Sequence, residues 1–450
     1  MSPTGAHVAN RADDDSQGLL DWYGDVAGSR LAASPRFVHD WLSLGFGWTR
    51  WRTAHLPDKD LLPSGNTIAR TTFEMVGRSF SDPRNMALVS IFLPTEIFAA
   101  LGMRAITAEA ISGTTGGAHA EAAFVADAES RGIPETYCSY HKVLMSMAET
   151  EVVQAPAVLA ACSVACDANN LTFKTLARTW GSPFVYVDVP YGQDRDACRY
   201  VADQLRELAR VSEAATGRAL DEARLGQLVA RSQRTLDILD RTLPLRAGKY
   251  LQTDMMLQVE ELLCSHVALG SADMELAARQ MLTDYAAARP YEGLNLVWVH
   301  TTPFFLPAIS RHLDRTPEAQ IVATDMAYDQ VCPDGYWYDG MRQPYEAMAE
   351  RLVRTSFNGP SQRRADRVRY LAEQTRADGV VVFCHWGCRQ TAGAAQLIRR
   401  ELEAAGYPTL VLDGDGCDRK NNMTGQLSTR FEAFLELLRS RRATGAPTRP

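Results

Sequence analysis

The chain has 450 residues, of which 46% are hydrophobic and 22% are charged, and its formal net charge is −7. This balance is that of a globular protein of two or three domains, and it excludes a mainly disordered chain. The acidic balance, with no basic block, argues against nucleic acid as a partner. No apolar run is long enough for a membrane span or a signal peptide, so we expect a cytoplasmic protein that does not enter the membrane.

The first 85 residues precede the regular part of the chain. Residues 1 to about 17 are polar and acidic, which predicts a disordered tail. The aromatic-rich stretch that follows, up to residue 85, predicts a helical extension without a strong period. From residue 86 short apolar runs alternate with helical patterns: "MALVSIFLP", "MRAITAE", "PAVLAAC" and "SPFVYVDVP" are of strand length. Strands that alternate with helices predict a parallel sheet covered on both faces, here in residues 86–193.

Residues 194–290 interrupt this alternation. Leucine and valine recur there at helical spacing and no convincing strand is present, which predicts a helical connector. The alternation resumes in residues 291–440 with "NLVWVH", "EAQIVATD", "DGVVVFCH" and "YPTLVLDGD". The predicted fold class is therefore α/β: two Rossmann- or flavodoxin-like parallel-sheet domains, a helical N-terminal extension and a helical connector. The two α/β halves could be a distant duplication. The final "ATGAPTRP" is expected to be a disordered tail.

Cysteines cluster where two of the predicted strands end. "CSVACD" follows "PAVLAA", and "FCHWGCRQ" follows "GVVV". In parallel sheets ligands bind beyond the carboxyl ends of the strands, so these loops can meet at one site. Nine cysteines in a long chain without a signal peptide do not suggest a disulfide framework. The spacing lacks the close Cys pairs typical of zinc and the single short run typical of ferredoxins. An iron–sulfur site assembled from distant segments and a set of inert buried thiols both remain open.

Two further polar stretches have a functional and a structural interpretation. "SGTTGG", residues 112–117, could cradle a phosphate through its backbone N–H groups, but without a P-loop lysine a flexible loop is favoured. "DGDGCDRKNN" could bind magnesium or a CoA phosphate through Arg419 and Lys420, but a polar turn is the commoner explanation. Because the chain carries no P-loop, any ATP hydrolysis belongs to another protein.

The sequence resembles the 2-hydroxyacyl-CoA dehydratase D-component family, which includes dehydratase subunits, benzoyl-CoA reductase subunits and double-cubane cluster proteins. The resemblance runs in family order across about residues 86 to 438, and its breadth is more specific than any single motif. It rests on these stretches: "FLPTEIFAALGM", "YCSYHKVLM", "ACDANNLTFKTLARTWGSPFVYVDVPYG", "TGRALDEARLGQLVARSQRTLDIL", "FCHWGCRQ" and "YPTLVLDGDGCDRKNNMTGQLSTRFEAFLELL".

The resemblance implies three cluster ligands: Cys138, Cys166 and Cys388. In the family these thiolates hold one [4Fe-4S] cluster in each subunit. Three thiolates on four irons leave one iron with an open position, which is the mark of a catalytic rather than a structural metal centre.

Two features depart from the family pattern. Cys162, Cys384 and Cys417 are further thiols near the expected ligands. They are either extra ligands of a larger double-cubane [8Fe-9S] cluster or bystanders, and the frequency of buried cysteine favours bystanders. The stretch "ISGTTGGAHAEAAF", residues 111–124, also makes the spacing to Cys138 longer than usual, and it is expected to form a lid or a partner surface.

Glu96 and His385 are the candidate catalytic residues. Glu96 matches the "P-x-E-I" of the family, where a carboxylate with a raised pKa can act as a base. The equally weighted alternative is an acidic residue that stabilises a helix N-terminus. His385 and His141 each neighbour an expected ligand, and each can hydrogen-bond to a cluster sulfur, shuttle protons or simply be packed.

The resemblance implies a radical mechanism and two kinds of protein partner. A separate ATP-dependent iron–sulfur activator delivers a low-potential electron, and an acyl-CoA-type substrate is reduced to a ketyl radical. The α-hydroxyl leaves, the β-proton becomes acidic and is lost, and the electron is recovered. The chain is expected to pair with a homologous second subunit or to form a homodimer. The alternatives are a double-cubane-type reductase of small molecules and a non-catalytic electron-transfer or scaffold subunit.

Overall fold

The computed structural model describes the backbone of residues 6–444 and the side chains of residues 18–444. Seventeen α-helices and eight strands make up this part of the chain. The strands are β1 (Met86–Val89), β2 (Arg104–Thr107), β3 (Val158–Cys162), β4 (Phe184–Val187), β5 (Leu294–Val299), β6 (Ala319–Thr324), β7 (Gly379–His385) and β8 (Thr409–Gly414). The helices are α1 (Ala6–Arg30), α2 (Pro35–His55), α3 (Pro63–Ser81), α4 (Glu96–Ala100), α5 (Ala108–Gly117), α6 (Glu121–Ser130), α7 (Ser139–Glu149), α8 (Asp167–Trp180), α9 (Arg195–Thr216), α10 (Glu222–Thr242), α11 (Met255–Val267), α12 (Ala272–Ala287), α13 (Pro307–Leu313), α14 (Pro344–Arg354), α15 (Gln362–Thr375), α16 (Arg389–Ala404) and α17 (Thr424–Ala443).

The strands form two four-stranded parallel sheets with the same topology. The first has the order β2-β1-β3-β4 and the second has the order β6-β5-β7-β8. Every residue of the central strands β1, β3, β5 and β7 is buried. Continuous apolar runs predict such strands, because helices cover both faces of a parallel sheet. The predicted α/β class with two parallel sheets is therefore confirmed, and all eight predicted strands are present.

Helices fill the segments outside the two sheets. The N-terminal extension consists of α1, α2 and α3, and the connector between the sheets consists of α9 to α12. In the connector the described backbone holds no strand, and the only pairing is one bridge between Lys249 and Pro290. The long helix α9 buries a regular apolar face, with Val201, Leu205 and Leu208 inaccessible to solvent. None of the described helices has the length and apolarity to cross a membrane.

The two expected disordered tails have different outcomes, and the N-terminal one needs correction. Of the expected disordered tail, residues 1–5 lie outside the described part, whereas the backbone from Ala6 onward is helical in α1. The stretch with no proline between Pro3 and Pro35 permits this continuous helix. The expected C-terminal tail lies outside the described residues from position 445.

The stretch "SGTTGG" is a helix and neither a flexible loop nor a phosphate cradle. It forms most of α5, whose N-terminus is capped by Thr107, the hydroxyl oxygen of which accepts a hydrogen bond from the Ala110 N–H at 3.1 Å. Most of α5 is buried. Its glycines permit close packing, since a Cβ on Gly116 would lie 3.3 Å from the Cys417 carbonyl oxygen. The same helix and α6 form the stretch expected to be a lid, and both bury one face in the core.

Candidate functional site

The strand orders place a binding crevice at the same point in both sheets. In the first sheet the chain runs from β1 outward to β2 and then returns to β3 on the other side of β1, and β5, β6 and β7 repeat this path. The loops beyond the carboxyl ends of β1 and β3, and of β5 and β7, therefore diverge. Such a reversal of direction leaves a crevice in which α/β proteins bind ligands.

One cavity of about 540 Å³ occupies both crevices. Its wall includes residues that follow each of the four central strands: Ile91 and Phe92 after β1, Cys166 after β3, His300 after β5 and Cys388 after β7. The size is typical of a small-molecule site. The cavity lies where the two α/β halves meet, so neither half forms it alone.

Cys138, Cys166 and Cys388 all line this cavity. Each is the N-cap residue of a helix: Cys138 of α7, Cys166 of α8 and Cys388 of α16. The Cys166 sulfur accepts a hydrogen bond from the Asn169 N–H at 3.4 Å. Helix N-termini carry unpaired N–H groups and a partial positive charge, and they favour anions. The N-termini of α7, α8 and α16 all reach this cavity, and each carries one of the three cysteines.

The thiols are close enough to influence one another. Burial raises the pKa of Cys138 well above its ordinary value, and the charges of Cys166 and Cys388 add to this. Burial also raises the pKa of Cys166, with contributions from Glu109 and Cys388. A thiolate in this cavity would therefore need a compensating positive charge, such as that of a metal ion.

Gly387 sets the approach of the second α/β half to Cys138. Its φ is +82°, and a Cβ built on it would lie 2.7 Å from both the Cα and the N of Cys138. Only glycine adopts this conformation readily and permits so close an approach. The glycine of the "HWGC" stretch thus brings the segment of Cys388 against the segment of Cys138.

His385 and His141 each lie beside one of the thiols. His385 Nε2 is 3.3 Å from Cys138 Sγ, and the Gly416 N–H donates to His385 Nδ1 at 3.0 Å. His141 Nε2 is 3.8 Å from Cys166 Sγ. Burial lowers the pKa of His141 to about 3, so its ring is neutral. Both histidines line the cavity, as expected from their positions in the sequence.

Glu109 is a cavity residue that the sequence analysis missed. It lies in the first turn of α5, directly after β2, and its Oε1 is 3.9 Å from His141 Nε2. Its Oε2 has no hydrogen-bond partner among the described residues. Burial raises the pKa of Glu109, which makes its carboxyl a candidate proton carrier. The available signal was its position at the carboxyl end of a strand of the first sheet.

Glu96 does not lie in the cavity wall. Its side chain is 1% exposed and forms an ion pair with Arg351, and the Ser232 hydroxyl donates to its Oε1 at 2.5 Å. Glu96 is also the first residue of α4, which fits the helix-terminus alternative. The structure therefore separates Glu96 from the three thiols and the two histidines.

The three additional thiols do not line the cavity either. Cys162 is buried in β3 beside the Ser90 hydroxyl, Cys384 lies in β7 with its neighbour His385 on the opposite face, and Cys417 is 3.7 Å from the Ser112 carbonyl oxygen. Their placement agrees with the bystander interpretation.

The "DGDGCDRKNN" loop is internally bonded. The Arg419 guanidinium pairs with Glu121 and Asp21, and Asn422 donates to the carbonyl oxygens of Asp415 and Asp418. Arg419 is thus engaged in a structural contact, and the loop is a polar turn that packs against α1 and α6. This placement favours the turn interpretation over a phosphate site.

The three thiols share one cavity without meeting at one point. Within the described residues no three His, Cys, Asp or Glu side chains surround one point closely enough to hold a lone ion. In an iron–sulfur cluster each thiolate binds a different iron, so the ligands line a shared space without meeting at one point. Three thiols around one cavity meet that requirement.

The family model described as "2-hydroxyglutaryl-CoA dehydratase, D-component" matches residues 90–438. Three curated relatives are each 21% identical to this chain. The (R)-phenyllactyl-CoA dehydratase alpha subunit of Clostridium sporogenes aligns over 77% of this chain and 87% of its own length. The (R)-2-hydroxyglutaryl-CoA dehydratase subunit alpha of Acidaminococcus fermentans aligns over 63% and 60%, and the lactoyl-CoA dehydratase subunit alpha of Anaerotignum propionicum over 65% and 71%.

Proposed function

Because the chain belongs to the 2-hydroxyglutaryl-CoA dehydratase D-component family, we propose that it is the iron–sulfur subunit of an ATP-activated 2-hydroxyacyl-CoA dehydratase. A [4Fe-4S] cluster would be held by Cys138, Cys166 and Cys388. The observation that carries this proposal is the convergence of these three thiols, each at a helix N-terminus, on one cavity between the two sheets.

The residues around the thiols fit a cluster with one open corner. No fourth cysteine lies in the cavity wall, so one iron of four would have no protein thiolate. When bound, such a cluster supplies a low-potential electron and a Lewis-acidic iron. The convergent helix N-termini would stabilise its negative charge.

The remaining cavity residues have separate tasks in this proposal. Apolar side chains from both halves, among them Phe92 and Phe357, exclude water and contact the acyl chain. Glu109, beside the neutral His141, is the group placed to hold or move a proton at its carboxyl oxygens. The net reaction loses a proton from the β-carbon and a hydroxyl from the α-carbon. A single carboxyl can therefore give a proton to the leaving hydroxyl and take one from the β-carbon.

The names of the relatives support the substrate class and the need for partners. All three are named as alpha subunits of dehydratases that act on CoA thioesters of 2-hydroxy acids. We extend both features to this chain, with a homologous second subunit or a second copy as its partner. A separate ATP-dependent iron–sulfur activator would supply the electron, since this chain carries no P-loop.

The test is an iron and sulfide determination on anaerobically purified protein and its cysteine variants. We expect about four irons per chain in the wild type and loss of the visible absorbance in Cys138→Ala, Cys166→Ala and Cys388→Ala. Matched controls are Cys198→Ala and Cys332→Ala, which change thiols that do not line the cavity. Retention of full iron content in all five variants would refute the ligand assignment.

The same measurement separates the alternative functions. About eight irons per chain, lost in Cys162→Ala, Cys384→Ala or Cys417→Ala, would favour a double-cubane reductase. A colourless, folded wild type that cannot be reconstituted with iron would favour a non-catalytic subunit. If iron is present, turnover of a 2-hydroxyacyl-CoA by the activated protein then decides between a dehydratase and an electron carrier.

A further inference from the structure

The two ring nitrogens of His385 have different partners, and these partners fix the position of its proton. The Gly416 N–H lies 3.0 Å from Nδ1, and the Cys138 sulfur lies 3.3 Å from Nε2. We infer that the loop after β8 holds His385 in its Nε2–H tautomer, so that the ring is a hydrogen-bond donor to the Cys138 sulfur. His385 is then a positioning residue and not a proton carrier.

The Gly416 N–H determines whether Nδ1 can carry a proton. A peptide N–H can only donate, so Nδ1 must accept through its lone pair and cannot carry a proton. A doubly protonated ring has no lone pair on either nitrogen, and the Gly416 contact excludes that state as well. The single proton of a neutral ring then lies on Nε2, the nitrogen that faces Cys138.

Among the described residues, Asp415 is the acceptor that could compete for a proton on Nδ1, and its geometry is unfavourable. Its Oδ1 is 3.6 Å from Nδ1, which is too long for a hydrogen bond. The same oxygen already accepts hydrogen bonds from the Ser139 hydroxyl at 2.6 Å and from the N–H groups of Cys417 and Asp418 at 2.9 Å. A carboxylate oxygen that accepts three donors has little capacity for a fourth.

The ring is also held in its orientation. It stacks on the His300 ring with a centroid distance of 5.9 Å and an interplanar angle of 12°, and the edge of Tyr140 meets it at 5.3 Å. His385 is 2% exposed. A Cβ on Gly416 would lie 2.6 Å from the Thr301 Cγ2, so a glycine is needed for this N–H to reach the ring. The Nε2–H donor of His385 is therefore already oriented toward Cys138 before any ligand binds.

The consequence for electron transfer rests on the proposed function. A hydrogen bond to a ligand sulfur stabilises the more negative, reduced form of a cluster, and it raises the reduction potential. His385 would thus adjust the potential at the Cys138 corner. Because both nitrogens are engaged, the ring has no free site with which to relay a proton.

The tautomer can be measured without any cluster. Metal-free protein with ¹⁵N-labelled histidine is compared with its His385→Gln variant, and the resonances that disappear in the variant are those of His385. We expect the chemical shifts and couplings of a neutral ring protonated at Nε2. A ring protonated at Nδ1, or at both nitrogens, would overturn the inference.

The effect on the cluster is measured by potentiometric titration followed by electron paramagnetic resonance. We expect a more negative reduction potential in His385→Leu, and a potential close to that of the wild type in His385→Gln, whose amide can still donate. His312→Gln, at a half-buried histidine that does not line the cavity, is the control. A His385→Leu variant with full iron content and an unchanged potential would overturn the donor role.

Variants that fail to hold iron are also informative. Loss of iron in His385→Leu with full iron in His385→Gln would support the donor, whereas equal loss in both would contradict it. A wild type that holds no iron refutes the proposed function and not the tautomer, which the measurement on metal-free protein decides by itself.

Discussion

The substitution Gly387→Ala tests whether close contact between the two α/β halves creates the thiol site. The new methyl group would lie 2.7 Å from the Cα and N of Cys138. Carbon atoms in contact are normally about 3.5–4.0 Å apart, so the two backbones would have to separate by roughly 1 Å. Both opposing atoms belong to the backbone, and no flexible side chain can move aside.

Gly335→Ala is a control with the same backbone conformation. Gly335 also has a φ of +82°, but a Cβ there would meet no atom within 4 Å. Its replacement costs only the left-handed conformation of alanine, about 1–2 kcal/mol. Gly387→Ala has this cost and an additional overlap cost, for which about 1–3 kcal/mol is typical of overpacked sites.

Thermal stability and iron content, measured on both variants, show whether the contact between Gly387 and Cys138 forms the thiol site. We expect Gly387→Ala to lower the thermal unfolding temperature of the metal-free protein further than Gly335→Ala does. After anaerobic reconstitution, Gly335→Ala should hold the wild-type amount of iron, and Gly387→Ala should hold much less. If the two variants matched in both stability and iron content, the contact between Gly387 and Cys138 would not be what forms the site.

Three further substitutions test the roles of buried carboxyl groups. Glu109→Gln should lower the turnover of the activated protein by about 100-fold or more and leave the iron content unchanged, with Asp167→Asn at the cavity mouth as the control; wild-type turnover in Glu109→Gln would exclude a role for Glu109. Glu96→Gln removes the partner of the buried Arg351 and should lower the free energy of unfolding by about 3–5 kcal/mol, while iron per folded chain stays constant; loss of iron at unchanged stability would instead place Glu96 at the site. Burial raises the pKa of Glu260 from 4.5 to about 8, so the free energy of unfolding should fall as the pH rises through that interval. The fall is at most about 1.4 kcal/mol per pH unit, and urea unfolding of Glu260→Gln should show a shallower slope.

The sequence was sufficient to predict the strands because their signal is local. A parallel sheet buries both faces of its central strands, and this produces apolar runs such as "GVVVF" that need no knowledge of their neighbours. The positions of Cys166 and Cys388 follow from the same reasoning, since each comes just after such a run. Cys138 lies before a helix and does not follow a strand, so its role as an expected ligand came from the family resemblance.

The choice between two glutamates could not be made from the sequence. Glu96 and Glu109 both lie in the first turn of a helix that follows a strand of the first sheet. Glu96 is withdrawn from the cavity by Arg351, which is 255 residues away in the chain. Long-range ion pairs of this kind depend on how the two halves pack, and no local pattern reports them.

Glycine content misled the interpretation of α5 for a related reason. "SGTTGG" has a low helix propensity, since glycine costs about 1 kcal/mol relative to alanine in a helix. Tertiary packing outweighs this cost: a Cβ on Gly113 would contact the Tyr140 ring at 3.6 Å, and a Cβ on Gly116 would be closer still to the Cys417 carbonyl oxygen. The small residues let α5 lie against α7 and the loop after β8, which brings Ser139 within 2.6 Å of Asp415.

These contacts make ligand binding and the packing of the two halves mutually dependent. Cys138 and Cys166 come from the first half and Cys388 from the second, and Tyr140 joins the halves by donating to the Gly416 carbonyl oxygen at 2.8 Å. A group that binds all three thiols binds only the packed arrangement, and it stabilises that arrangement by a free energy that grows with the logarithm of its affinity. Conversely, any movement that separates the halves takes the Cys388 thiol away from the other two. The interface between the two halves therefore forms the site, and binding at this site changes how stably the two halves pack together.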